Sequence, residues 1–144
     1  MGAAFLNTFK KGSNFMVTGI EHLGVCAKDS TALKDWYVKT FGTKVVYDNG
    51  KGTYFVAFEN GDMLEIMSAD DDGAEYAEKT KGVRHIALSI DNESFDEVVK
   101  ILKADSAVTE IHDVSESAKG IKTYWFCDIE GNFMHLIYRP TPLV

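Results

Sequence analysis

The chain has 144 residues, 45% of them hydrophobic and 26% charged, with a formal net charge of -7. That is the size of one ordinary domain with its own core, and the charge argues against a nucleic-acid partner, because phosphate binding needs clustered Lys and Arg while the arginines are only Arg84 and Arg139. No apolar run approaches the roughly 20 residues that a membrane span requires, so neither nucleic acid nor a membrane is an expected partner.

Residues 1–18 are weakly patterned and read as an arm, a partner-contacting helix or a frayed leader. They lack the compact apolar block and cleavage site of a signal peptide. Cys26 and Cys127 fall inside predicted strands, away from the spacings of a disulfide framework. A cytoplasmic protein with two small, buried, apolar cysteines is the expectation. From Gly19 to Ala27 the residues alternate, with Leu23 and Val25 on one face and His22, Gly24 and Cys26 on the other, which is strand periodicity. Asp29 or Ser30 can cap a helix through TALKDWYVKTF, where Leu33, Trp36, Tyr37 and Phe41 recur at helical spacing and Gly42 stands ready to end it. KVVYD, TYFVAFE and DMLEIMS then read as three strands turned at Asn49-Gly50 and Asn60-Gly61. The first unit, 19–68, is therefore β-α-β-β-β.

Residues 69–81, ADDDGAEYAEKTK, are acidic and poor in branched side chains, the pattern of a solvated linker. The second unit, 82–139, repeats the plan. A strand over 82–90 is followed by a helix from Glu93 to Lys103 with Asp91 or Asn92 as cap. Strands near 107–113, 120–128 and 131–138 complete it, with Ser115 to Gly120 the most mobile loop. The tail 140–144, with two prolines at positions 140 and 142, cannot continue a strand.

The two units are copies. TYFVAFENGDMLEIM, Thr53 to Met67, returns as TYWFCDIEGNFMHLI, Thr123 to Ile137, at a constant offset of 70, and GIEHLGVC returns as GVRHIALS at an offset of 63. His22 thereby falls on His85 and Glu65 on His135. A repeat of this length, present twice, indicates a fused duplication rather than a solenoid. Alternation puts both first-strand histidines over small neighbours, opposite the faces that helices would cover. It puts Glu65 between Met63 and Met67, and His135 between Phe133 and Ile137, where an unpaired carboxylate would be costly and a cation would remove the cost. Imidazoles with a carboxylate suit zinc, nickel, iron, cobalt or manganese, and the absence of a thiolate argues against a purely structural zinc. Four such ligands leave octahedral positions open for substrate oxygens.

A single strand histidine is ordinarily structural, and only the symmetry of His22, His85 and His135 reverses that reading. His112, with no counterpart visible in the first unit, reads as an ordinary strand-end residue. Tyr54 and Tyr124 read as packing residues, and Asp70 to Asp72 as solvated loop.

These residues resemble the vicinal oxygen chelate superfamily, which includes glyoxalase I, methylmalonyl-CoA epimerase, fosfomycin-resistance proteins, extradiol dioxygenases and bleomycin-binding proteins. The resemblance spans residues 19–139, through HLGVCAKD at His22, GVRHIALSID at His85 and DIEGNFMHLIYRP at the closing strand. It implies an α+β fold of two tandem βαβββ units cupped around a divalent transition metal, with His22, Glu65, His85 and His135 at the ligand positions. The activity implied is that of a glyoxalase I-like lyase or isomerase acting on a small substrate that chelates through neighbouring oxygens. An iron-dependent extradiol-type dioxygenase and a drug- or metabolite-binding resistance protein are the alternatives. His135 stands where glyoxalase I and the epimerases usually carry a glutamate, so either Glu65 takes the role of base or His135 shuttles the proton. The resemblance also implies a homodimer, with the site inside one chain or shared by two.

Overall fold

The computed structural model of the chain describes residues 17–73, 79 and 81–144. Most of the expected arm, and residues 74–78 and 80 of the expected linker, lie outside the described residues. The first unit comprises β1 (His22–Ala27), α1 (Ser30–Phe41), β2 (Lys44–Asp48), β3 (Tyr54–Ala57) and β4 (Met63–Ser68). The second comprises β5 (Ile86–Ser89), α2 (Asn92–Ala104), β6 (Thr109–Glu116), β7 (Lys122–Cys127) and β8 (Phe133–Tyr138). Their strands make two four-stranded sheets, ordered β1-β4-β3-β2 and β5-β8-β7-β6. In each sheet the first strand joins the last in parallel and the hairpins are antiparallel. This is the pair of tandem βαβββ units expected from the sequence.

Local chemistry sets the boundaries. Asp29 caps α1 by accepting from Ala32 N at 2.9 Å, and Asp91 caps α2 by accepting from Ser94 N at 2.7 Å. Gly42, left-handed at φ 68°, ends α1 with its N–H donating to Val38 O. The hairpins before β4 and β8 are the same turn made twice. Phe58 N donates to Asp62 O, and Asp128 N to Asn132 O, 70 positions on, with Gly61 and Gly131 at φ 92° and 86°. Ser117 closes the β6–β7 turn, accepting on Oγ from Lys119 N and Ile121 N, so Ser115 and Glu116 belong to a strand that the sequence pattern leaves in a loop. β5 is shorter than the predicted 82–90 strand and leaves His85 just before its first residue.

The two units share one core. α1 lies between the sheets: Tyr37, fully buried, donates to Asp128 Oδ2 at 2.9 Å and touches Met134 of β8, and Phe41 packs against Phe126 of β7. Trp36 Nε1 donates to Asp105, just past α2, and Glu130 accepts from the backbone N–H groups of Lys28 and Asp29. Leu33, Val56, Leu64 and Ile66 of the first unit and Phe95, Tyr124, Phe126, Met134 and Leu136 of the second close this core. The helix-bearing faces of the sheets thus look toward each other, and their other faces look outward. The tyrosines read as packing residues are so placed, Tyr54 with its hydroxyl on Thr31 Oγ1 and Tyr124 with its hydroxyl on Glu110. Of the cysteines expected to be buried, Cys127 is, but Cys26 is exposed, because it shares the outward face of β1 with His22 and Gly24.

Burial raises the pKa of both members of the Tyr37–Asp128 contact, Tyr37 well above the ordinary value, while Asn132 and the Tyr37 hydroxyl hold the carboxylate by hydrogen bonds. Replacing Tyr37 with Phe removes a donor from this buried acceptor and is expected to lower unfolding free energy by about 1–3 kcal/mol in chemical denaturation. An unchanged midpoint would mean that the contact joining α1 to the second unit contributes nothing.

Candidate functional site

On the outward face of the first sheet, Glu65 sits at the centre of β4, paired with Phe55 on one side and Gly24 on the other. A Cβ at position 24 would meet Met67 Cε at 3.2 Å and Glu65 Oε2 at 3.9 Å, so glycine keeps the space above the carboxylate open. His22 opens β1 and places Nε2 3.3 Å from Glu65 Oε2, while Nδ1 makes a close hydrogen bond with the Glu21 carboxylate. The Glu21 hydrogen bond, opposed by partial desolvation and helped by the charges of Glu21 and Glu65, raises the His22 pKa. Phe55 meets the His22 ring edge-on at 5.1 Å, and Tyr47 meets Phe55 at 5.7 Å.

The second sheet repeats this arrangement with different chemistry. His135 takes the place of Glu65 at the centre of β8, paired with Trp125 and Ala87. His85 and Trp125 meet at 4.8 Å and 74°, against 5.1 Å and 75° for His22 and Phe55. Trp125 also lies flat on His135, centroids 4.0 Å apart and planes 8° apart, and His85 stands edge-on to His135 at 5.0 Å. The stack leaves His135 only 6% exposed. Its pKa falls to about 4, first because burial disfavours the charged ring and then through the positive charges of His85 and Arg139.

His112, read from the sequence as an ordinary strand-end residue, lies within β6, opposite Trp125 across a register shift. Its counterpart is Tyr47, which faces Phe55 across the corresponding shift in β2. The β6–β7 hairpin is five residues longer than the β2–β3 hairpin, so the offset changes from 70 to 65, which is why a fixed-offset comparison misses the pair. His112, His85, Trp125, Phe133, Arg84 and Lys79 line a pocket of about 380 Å³.

The structure therefore brings His22 to Glu65 and His85 to His135, and among the described residues it does not gather the two pairs at one site. Among the described residues no three His, Cys, Asp or Glu side chains gather within reach of a single ion. Each pair alone fits half of a metal site. His22 offers Nε2 toward Glu65 while Nδ1 is oriented by Glu21, the arrangement that fixes the tautomer of ligating histidines. His135 is held neutral at ordinary pH, the form that ligates, and its Nδ1 is buried with no hydrogen bond among the described residues.

Residues 19–132 match the Glyoxalase/Bleomycin resistance protein/Dioxygenase superfamily, and the chain belongs to that family. Solved structures share its fold at low identity. The fosfomycin resistance protein FosX from Listeria monocytogenes is 21% identical with a TM-score of 0.69, over 90% of this chain and 97% of that one. A glyoxalase/bleomycin resistance protein/dioxygenase from Alicyclobacillus acidocaldarius is 22% identical with a TM-score of 0.63, over 86% and 93%. The oxidase ChaP-H2 is 19% identical with a TM-score of 0.66, over 87% and 96%. No curated protein matches. Among the described residues no helix is long and apolar enough to cross a membrane.

His135 gives a signed pH dependence for the metal-free chain. Its folded pKa is below the unfolded value of 6.5, so between about pH 6.5 and 4 the unfolded state binds the proton that the folded state refuses. Stability is expected to fall across that window as the pH is lowered, by up to about 3 kcal/mol. His22, with its raised pKa, works in the opposite sense. The difference between wild type and His135→Asn in denaturation at several pH values isolates the His135 contribution, and a difference independent of pH would refute it.

Proposed function

We propose that this chain is a metal-dependent enzyme, a glyoxalase I-like lyase or isomerase for a small substrate presenting neighbouring oxygens, whose metal is held by His22, Glu65, His85 and His135. The observation that carries this reading is the repetition of one geometry on both outward faces: a histidine edge-on to an aromatic ring, beside an ionisable side chain at the centre of the closing strand. Core packing needs no such repetition on faces directed away from the core. A mutant of FosX, which shares the fold, has been crystallised with Mn(II) and 1S,2S-dihydroxypropylphosphonic acid, in keeping with a divalent ion here.

The two halves belong to different chains in this reading. β1 and β5 each end a sheet with one edge unpartnered among the described residues, and each lies next to its half-site. A homodimer that sets β1 of one copy beside β5 of another brings His22 and Glu65 to the other copy's His85 and His135, while leaving the shared core of each chain intact.

A bound metal supplies Lewis acidity that polarises a substrate carbonyl. The protein residues divide the remaining work by accessibility. His135, clamped beneath Trp125, keeps one orientation and stays neutral, which suits a ligand. Glu65 is a quarter exposed at its side chain and has open space above it at Gly24, so it can take a proton from a substrate carbon and return it. Met63 and Met67, beside it on β4, limit water around that carboxylate.

Metal analysis of the untagged protein is expected to give about one transition-metal equivalent per chain, lost on His22→Ala or His85→Ala. Mixing those two variants after denaturation and refolding is the sharper experiment. If each site draws on two chains, mixed dimers rebuild one intact site and recover about a quarter of the wild-type metal content; no recovery would place the ligands within one chain. No metal after reconstitution with zinc, nickel, iron, cobalt and manganese would overturn the reading. Iron as the retained metal would favour an oxygenase.

Glu65→Gln is expected to reduce turnover by about 10²–10⁴-fold in metal-reconstituted protein. Undiminished turnover would assign proton transfer elsewhere, with His135 the next candidate.

A further inference from the structure

The His22 ring lies between two carboxylates that compete for its proton. Glu21 makes a close hydrogen bond with Nδ1, and Glu65 Oε2 stands 3.3 Å from Nε2. A neutral imidazole carries one N–H, so it donates to one of these carboxylates and turns a lone pair toward the other. With the proton on Nε2, it points at Glu65, and the nitrogen and the carboxylate of the half-site are engaged with each other. With the proton on Nδ1, it goes to Glu21, and Nε2 and Glu65 are two acceptors facing the same space. The position of one proton thus decides whether the first half-site is open to a cation. Phe55, edge-on to the ring at 5.1 Å, borders that space, and Gly24 leaves the part above Glu65 unfilled.

We propose that Glu21 is a positioning residue that holds the His22 proton on Nδ1, so that Nε2 and Glu65 are both available to a metal ion. The contact with Glu21 is the shorter of the two, and a hydrogen bond to a carboxylate is charge-assisted. A carboxylate behind a ligating imidazole fixes its tautomer and raises its basicity. The device belongs to one half alone. At the offset of 63 that pairs His22 with His85, Glu21 falls on Arg84, a side chain with no acceptor to offer. Core packing does not dictate the choice of glutamate, since the Glu21 side chain is 68% exposed. The inference rests on the preceding reading for the metal, and it deepens that reading by giving a residue outside the ligand set control over one ligand and over the freedom of Glu65.

Heteronuclear NMR of the ring nitrogens reads the tautomer directly in metal-free, chelator-treated protein, at a pH where the ring is neutral, with the His22 signals assigned by their loss in His22→Ala. The wild type is expected to carry the proton on Nδ1, and Glu21→Ala to carry it on Nε2, bonded to Glu65. Glu21→Gln keeps an acceptor without the charge and is expected to retain the wild-type tautomer in part. Zinc affinity, measured by competition with a chromophoric chelator, is expected to fall about 10–100-fold in Glu21→Ala and less in Glu21→Gln. A purely structural role for Glu21 would leave the tautomer where it is. A wild-type proton on Nε2 overturns the inference even if a variant fails to fold, and so does a tautomer that moves in Glu21→Ala while zinc affinity stays the same. The two readings fail separately. Zinc binding with a tautomer indifferent to Glu21 removes this inference alone, whereas a tautomer set by Glu21 in a chain that binds no zinc upholds the placement of the proton and removes the metal site.

Discussion

The position of α1 between the two sheets is the constraint on which the rest of the structure depends. One helix contributes Leu33, Trp36 and Tyr37 to a core completed by β3 and β4 of its own unit and by β7 and β8 of the other. Because both sheets bury the same kind of face against it, both are obliged to turn their remaining faces outward. Those outward faces carry Glu65 and His135 at the centres of β4 and β8. The core and the candidate site are thus two consequences of one strand alternation, apolar residues to the helix and functional residues away from it.

Within that symmetry the two halves have diverged in electrostatic character. The first carries carboxylates, Glu21 and Glu65, which favour a protonated His22. The second replaces the central carboxylate with an imidazole, adds His112 where the first has Tyr47, and sets the charges of His85 and Arg139 near it. Among the described residues, the first half is the more acidic and the second the more basic.

The aromatic side chains set the rigidity of each half. Trp125 stacks flat on His135 and fills the space that Phe55, smaller and edge-on to His22, leaves in the other half. The larger ring makes His135 buried and fixed, whereas Glu65 keeps access to solvent. A held imidazole and an accessible carboxylate follow from this difference in packing, within a fold that treats both positions alike.

Much of this was legible in the sequence because strand alternation, helix caps and tight turns are local. The period of two identified the outward faces of β1, β4 and β8, Asp29 and Asp91 were recognisable as caps, and the fixed offset of 70 exposed the pairing of Glu65 with His135. The equivalence of His112 and Tyr47 was hidden, since the longer β6–β7 hairpin changes the constant offset on which repeat detection relies. The exposure of Cys26, by contrast, follows from the same alternation that puts it on the outward face with His22 and Gly24. The lowered pKa of His135 comes from burial beneath a ring ten residues away in the chain, and no local pattern reports it. By itself the sequence determined two copies of one unit and the residues each turns away from its helix. Only the tertiary structure decided that the copies share a core back to back, keeping His22 and Glu65 apart from His85 and His135, because the packing of α1 against two sheets is a long-range choice that periodicity does not encode.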